Sequence, residues 1–293
     1  MPFKIINKLV LADQVKRIDI IAPNIARRIN PGQFVSVAPE EDDEHIPLTV
    51  TAYDLIKGSI MLIFPEVGHT TKKLGAMHIH EEIYSVLGPL GRSARIGKEG
   101  LVVCIATGIR IAQILPICRA FRDKGNRIIG VIGAKTKRSL MLEPQMRLAC
   151  DKLYIATNDG SYERRGQATD ILGEVLEKNR IDCVYAIGSV EMMRAVCAMT
   201  GQKNIKTLVK LNPVMTDCMG MCGSCRVKVG GKMVLACIEG PEFNGFDVDF
   251  DDLEIRMNAY EENAQWGNLP SEHKTGNGGP KTLTKFLSGI LKG

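Results

Sequence analysis

Residues 212–242 read NPVMTDCMGMCGSCRVKVGGKMVLACIEGPE and hold four of the chain's nine cysteines: Cys218, Cys222, Cys225 and Cys237. Gly220 and Gly223 lie between the first three, where small residues let backbone wrap tightly and turn its amides inward. Cys222 and Cys225 form C-x2-C, and Cys237 follows after eleven residues. Plant-type [2Fe-2S] proteins space their ligands C-x4-C-x2-C and then a distant cysteine. Counted back from Cys222, that spacing places the first ligand at Asp217, with Cys218 one residue late. Cys222, Cys225 and Cys237 are therefore three expected ligands, and Asp217 and Cys218 compete for the fourth position. A carboxylate is an anionic oxygen donor that can bind iron, although thiolate is the commoner partner. Cys218 can take the place if the loop shifts by one residue. Zinc, disulfides and buried thiols are the competing readings. Structural zinc sites usually pair two short C-x2-C-like knuckles, and one is present. Disulfides belong to oxidising compartments, for which the sequence carries no signal.

The composition around this module is that of an ordinary soluble protein. Of 293 residues, 45% are apolar and 24% charged, enough chain for two or three domains. The net charge of +5, from 38 basic and 33 acidic residues, is mild, and no basic run marks a nucleic-acid binder. No apolar run approaches the ~20 residues of a membrane span. The start, MPFKIINKLVLADQVKRIDI, alternates and carries charge, so it reads as strand and not as a signal peptide. Cys104, Cys118, Cys150, Cys183 and Cys197 sit in apolar patterns and read as reduced core residues of a cytoplasmic protein.

Residues 1–97 predict a small antiparallel β-barrel. Its strands are expected at Phe3–Ala12, Val15–Ile21, Gln33–Val37, Leu48–Tyr53, Ser59–Phe64 and Glu82–Leu87, with Leu87–Gly91 as a closing turn. One stretch, FPEVGHTTKKLG at 64–75, places Gly68 and two hydroxyl residues at a helix start. Free amides and hydroxyls there can donate to phosphate, but threonine at a helix start is more commonly a plain cap. Residues 98–210 switch to alternating strands and helices. Strands are expected at Leu101–Ala106, Arg127–Gly133, Leu153–Thr157 and Cys183–Gly188. Helices are expected at Ile111–Phe121, Leu140–Cys150, Ala168–Lys178 and Glu191–Thr200. That alternation predicts a doubly wound parallel sheet, making the class α/β plus β. Ligands bind such sheets at the carboxyl ends of strands. The loops Ala106–Arg110, Gly133–Arg138, Thr157–Ser161 and Gly188–Glu191 are therefore the candidates. A nucleotide loop needs glycines where backbone approaches pyrophosphate. Here Gly108 is present, while Arg110 stands where a second glycine is expected.

Barrel, doubly wound domain and C-terminal iron–sulfur module (211–261) together resemble the ferredoxin–NADP reductase-like flavoproteins. Within them the chain is most similar to the iron–sulfur electron-transfer subunits that serve dihydroorotate dehydrogenase and to the small (alpha) subunits of NADH-dependent ferredoxin:NADP oxidoreductase, also called sulfide dehydrogenase alpha. The residues that carry the likeness are IPLT at 46–49, FPEVGHTTKKLG at 64–75, LGPLGR at 87–92, TNDGSY at 157–162, LNPVMTDCMGMCGSCRV at 211–227 and ACIEGPEF at 236–243. The resemblance implies FAD, with Pro47, Leu48, Thr49 and Phe64 beside the flavin and Gly68, Thr70 and Thr71 at its pyrophosphate. It favours Asp217 over Cys218 as the first ligand of a [2Fe-2S] cluster. It implies a place in a heteromeric oxidoreductase. The partner would be a larger flavoprotein or iron–sulfur subunit of the glutamate synthase small-subunit type, with ferredoxin as a further partner. It departs at the nicotinamide site, where relatives carry a GGG-x-G loop and a GPP-like turn, and this chain has ATGIR and Gly188-Ser189-Val190. Arg110 would either fill the pyrophosphate space or bind its phosphates, so NAD(H) and its contacts at Gly108 and Arg110 stand open. Residues 262–293 read as a linker, Asn263–Gly279, and a short amphipathic helix, Thr282–Leu291.

Overall fold

A computed structural model describes residues 3–267. Seven strands open it: β1 (Phe3–Ala12), β2 (Val15–Ile21), β3 (Phe34–Ala38), β4 (Ile46–Asp54), β5 (Ser59–Pro65), β6 (Glu82–Ile83) and β7 (Ser85–Leu90). All their pairings are antiparallel, in the order β6-β1-β2-β5-β4-β3-β7. The outermost strands are consecutive in sequence, with only Tyr84 between them. One run of chain therefore serves both edges and makes a nearly closed barrel. Alternate side chains point inward, as the two-residue period of a strand requires. Ile18, Ile20, Val35, Val37, Leu62 and Phe64 share one buried core. Helices α1 (Pro23–Ala26) and α2 (His69–Ala76) lie in the connections.

The second sheet is built from β8 (Leu101–Thr107), β9 (Arg127–Ala134), β10 (Lys152–Thr157), β11 (Arg164–Arg165), β12 (Cys183–Ile187) and β13 (Lys206–Lys210). Between them run α3 (Ile111–Asp123), α4 (Glu143–Ala149), α5 (Ala168–Lys178) and α6 (Val190–Gly201). The strands are parallel in the order β11-β10-β9-β8-β12-β13. Strand β8 shows why both faces are covered. Val102, Cys104 and Ala106 pack with α3, while Val103 and Ile105 pack with α5 and α6. A run of seven apolar or small residues is what a strand buried on both faces needs. Downstream come the hairpin β14 (Arg226–Val229) and β15 (Lys232–Leu235), then β16 (Glu242–Asn244) and α7 (Phe250–Gly267). Strand β16 joins the parallel sheet antiparallel to β13.

Several expectations change. Leu87-Gly88-Pro89-Leu90 belongs to strand β7 and is not a turn. It is an outer strand of the sheet, where a proline removes no ladder donor. The helix expected from Leu140 begins at Glu143, because Leu142 takes a left-handed φ of 58°. Strands β11, β13, β14, β15 and β16 were not among the expected strands. Finally, α7 runs through Gly267, so 263–267 is helix and not linker. The rest of the tail, including Thr282–Leu291, lies outside the described residues.

Candidate functional site

The strand order of the parallel sheet reverses at β8, with β9 on one side and β12 on the other. A crevice is expected there, at the carboxyl ends of the strands. The structure brings all four candidate loops to one cavity of about 370 Å³, lined by Gly108, Arg110, Lys135, Asn158 and Ser189 among others. Gly108 has φ 58°, and a Cβ there would meet nothing within 4 Å, so the loop is open above it. Ser189 caps α6 by accepting the Met192 amide at 3.3 Å.

A second cavity, of about 260 Å³, is lined by both the barrel and the parallel-sheet domain. Pro47, Leu48 and Thr49 of β4 form part of one wall, and Leu211, Asn212, Pro213 and Met215 another. Arg110 lines both cavities. Burial pulls its guanidinium below the ordinary value, with the Glu191 carboxylate acting the other way. Among the described residues, five buried side-chain polar atoms have no hydrogen-bond partner, and three belong to this cavity's lining: Thr51 Oγ1, Gln113 Oε1 and Asn212 Nδ2. Buried polar atoms are rarely left unpaired. An amide donor, an amide acceptor and a hydroxyl that can serve as either, set around one cavity, therefore fit a ligand that is itself mixed donor and acceptor on an apolar frame. The edge of a flavin ring has that character. Phe64 is corrected: its side chain is fully enclosed in the barrel core, while its neighbours Ile63 and Pro65 line the cavity. The two-residue period of β5 makes that exchange unavoidable.

Lys210 was not anticipated. It ends β13, is only 2% exposed, and donates its Nζ to Thr49 Oγ1 at 2.9 Å. Thr51, Gln113 and Asn212 were also missed, since uncharged polar residues in mixed segments carry no sequence signal for a cavity wall. Gly68, Thr70 and Thr71 stand apart from these cavities, at the start of α2. Thr71 Oγ1 accepts the Gly68 amide at 2.9 Å and donates back to the Gly68 carbonyl at 3.0 Å. That is a local cap, with Thr70 buried beside it.

The cysteine loop continues from the cavity wall, since Met215 is followed at once by Thr216 and Asp217. Its donors fall into two pairs. Asp217 Oδ1 lies 3.2 Å from Cys222 Sγ, and Cys225 Sγ lies 3.2 Å from Cys237 Sγ. Among the described residues no three such side chains converge on a single point. Two pairs suit a binuclear cluster, in which each iron takes two protein ligands. Asp217 Oδ2 accepts the amides of Met221 and Cys222, both at 2.8 Å, and so shapes the loop. Desolvation raises its carboxyl, but the Cys222 thiol and the surrounding amides win and hold it near about 2. The hydroxyls of Ser224 and Thr216 draw the exposed Cys222 thiol down to about 7. Cys218 differs. It is buried at φ 62°, its thiol lies beside Ser36 of β3, and burial pushes it up to about 11.

Barrel, switch-point crevice and paired-donor loop, in this order along one chain, define an iron–sulfur flavoprotein of the reductase type. Residues 212–249 match the model of the iron–sulfur cluster binding domain of dihydroorotate dehydrogenase B. A homologue of the dihydroorotate dehydrogenase B (NAD(+)) electron-transfer subunit from Thermotoga maritima is 35% identical over 259 residues, covering 88% of this chain and 92% of that one. A protein from the adh 3' region of Clostridium beijerinckii is 34% identical over 267 residues, 88% of this chain and 90% of its own. The solved structure of an NADH-dependent reduced ferredoxin-NADP oxidoreductase, studied for flavin-based electron bifurcation, superposes with a TM-score of 0.86 at 33% identity. It covers 91% of this chain and 96% of that one. The chain belongs to the family of dihydroorotate dehydrogenase B electron-transfer subunits and their homologues.

Proposed function

We propose that this chain is the electron-transfer subunit of a larger oxidoreductase, with FAD in the cavity lined by β4 and residues 211–215 and a [2Fe-2S] cluster in the adjoining loop. The observation that carries the reading is the trio of unpartnered polar atoms, Thr51, Gln113 and Asn212, in a cavity whose wall runs directly into the paired donors. Pro47, Leu48 and Thr49 flank the ring system, and Gly68, Thr70 and Thr71, outside the cavity at the start of α2, would take the pyrophosphate of the extended cofactor. Asp217 and Cys222 hold one iron, and Cys225 and Cys237 the other. Bound there, the flavin handles electrons in pairs and the cluster handles them singly. The chain's own task is to fix the distance between them, exclude water and set their potentials.

Arg110 favours a second reading of the same site, in which the chain relays electrons for a partner and takes none from NAD(P)H itself. Its side chain lines both cavities, so a nicotinamide ring reaching from one to the other meets a guanidinium on the way. The partner we propose is a larger flavoprotein or iron–sulfur subunit of the glutamate synthase small-subunit type, with ferredoxin as a further exchange partner. A reducing, cytoplasmic setting accords with nine free cysteines. Among the described residues no helix is long and apolar enough to cross a membrane.

An anaerobic titration of the purified chain, followed by absorbance near the flavin band, tests the proposal. Full bleaching by dithionite with little or none by NADH or NADPH is expected, and identifies a relay. Prompt bleaching by NADH makes the chain an electron entry point. A chain that carries neither flavin nor labile sulfide after anaerobic preparation overturns the assignment.

A further inference from the structure

Lys210 is a cation placed where burial alone argues against one. It is among the largest fully buried side chains of the protein, beside Phe64 and Phe121. Removing an ammonium from water costs several kcal/mol unless a partner compensates. Its one hydrogen bond is to the neutral Thr49 hydroxyl, which uses one of three donors. The nearest acidic candidate is Glu242, its cross-strand partner on β16. That carboxylate accepts the Arg95 amide instead, at 3.1 and 3.3 Å. Among the described residues no carboxylate makes an ion pair with Lys210. The other charged group on the cavity wall is the like-charged Arg110. Burial pulls the amine down to about 7, with Glu242 acting weakly the other way. Near neutral pH, an anionic neighbour in the cavity therefore suffices to hold it protonated.

We infer that Lys210 sets the reduction potential of the flavin bound in this cavity, by presenting a positive, hydrogen-bonding Nζ to the charge that the ring gains on reduction. The inference rests on the flavin reading above and adds a residue to it. Thr49 aims the group: its hydroxyl lies on β4, directly after Pro47 and Leu48, and fixes Nζ at the cavity wall. Charge beside a flavin ring is the lever by which a protein tunes it. A lysine kept only for packing would be replaced without loss by an apolar chain of equal length.

The test uses the full chain carrying FAD and its cluster. Flavin midpoint potentials are measured by spectroelectrochemistry at pH 7 for the parent, Lys210→Met and Lys210→Arg, and FAD affinity is measured by fluorescence. Lys210→Met is expected to shift the reduction equilibrium at least tenfold toward the oxidised form, about 30 mV for a two-electron couple. Lys210→Arg restores most of the difference. A Lys210→Met chain that holds FAD at an unmoved potential overturns the inference and leaves the flavin reading intact. A parent chain that takes up no FAD at any concentration overturns both. Should Lys210→Met fail to fold, Thr49→Val removes the aiming hydroxyl. A shift in the same direction then supports the role, and an unchanged potential overturns it.

Discussion

Where two neighbouring side chains point favours Asp217 over Cys218 as the proposed first ligand. Asp217 sits against Cys222 and holds two loop amides, whereas Cys218 turns toward β3. Asp217→Ala is therefore expected to change the EPR spectrum of the reduced cluster, and Cys218→Ser to leave it unaltered. The reverse pattern returns the ligand role to Cys218. Arg110 gives a second expectation. Arg110→Gly clears the shared wall of the two cavities, and flavin bleaching by NADH is expected to accelerate at least tenfold in stopped flow. An unchanged rate shows that the guanidinium is not the barrier. Both residues were legible in the sequence, because spacing rules and glycine rules compare a position with a fixed geometry. Lys210 was not legible, for a lysine at a strand end reads as solvent-facing. In the fold it is buried, with β16 pairing beside it and its Nζ on Thr49.

Elements were read best where a single period ran cleanly. Phe3–Ala12, Val15–Ile21 and Ala168–Lys178 have the bounds that alternation or helical spacing assigned them. Errors fell where tertiary placement outweighs local chemistry. Gly88 and Pro89 look like a turn, yet barrel closure draws them into β7. Strand β16 is three residues long, too short to show a period. The two faces of β8 give an element-scale expectation. Leu172 of α5 is fully buried against the face that holds Val103 and Ile105. Leu172→Ala should lower stability by about 2–5 kcal/mol, read as a fall in the denaturant midpoint. Ser189→Ala removes the α6 cap and should cost about 1 kcal/mol. A loss above that range shows that the hydroxyl makes a structural contact beyond the cap.

For the molecule as a whole, the bond between Lys210 and Thr49 ties the parallel sheet to the barrel through a group that resists its own charge. Its folded pKa of about 7 lies below the ordinary 10.5. Between those values the unfolded chain binds a proton that the folded chain does not, so folding weakens as pH falls across that window. Flavin-free parent protein should lose about 1.4 kcal/mol per pH unit there relative to Lys210→Met. Parallel urea titrations at pH 7.5 and 9.5 measure the difference. A constant gap between the two proteins shows that the amine is charged throughout. The segment Leu211–Met215 has a consequence of another kind. It is at once a wall of the ring cavity and the tether of the donor loop. If bound iron anchors the donor loop, losing one of its ligands is expected to slacken this wall as well. Cys225→Ala should therefore bind FAD several-fold more weakly than the parent by fluorescence titration, and unchanged affinity would separate the two loadings.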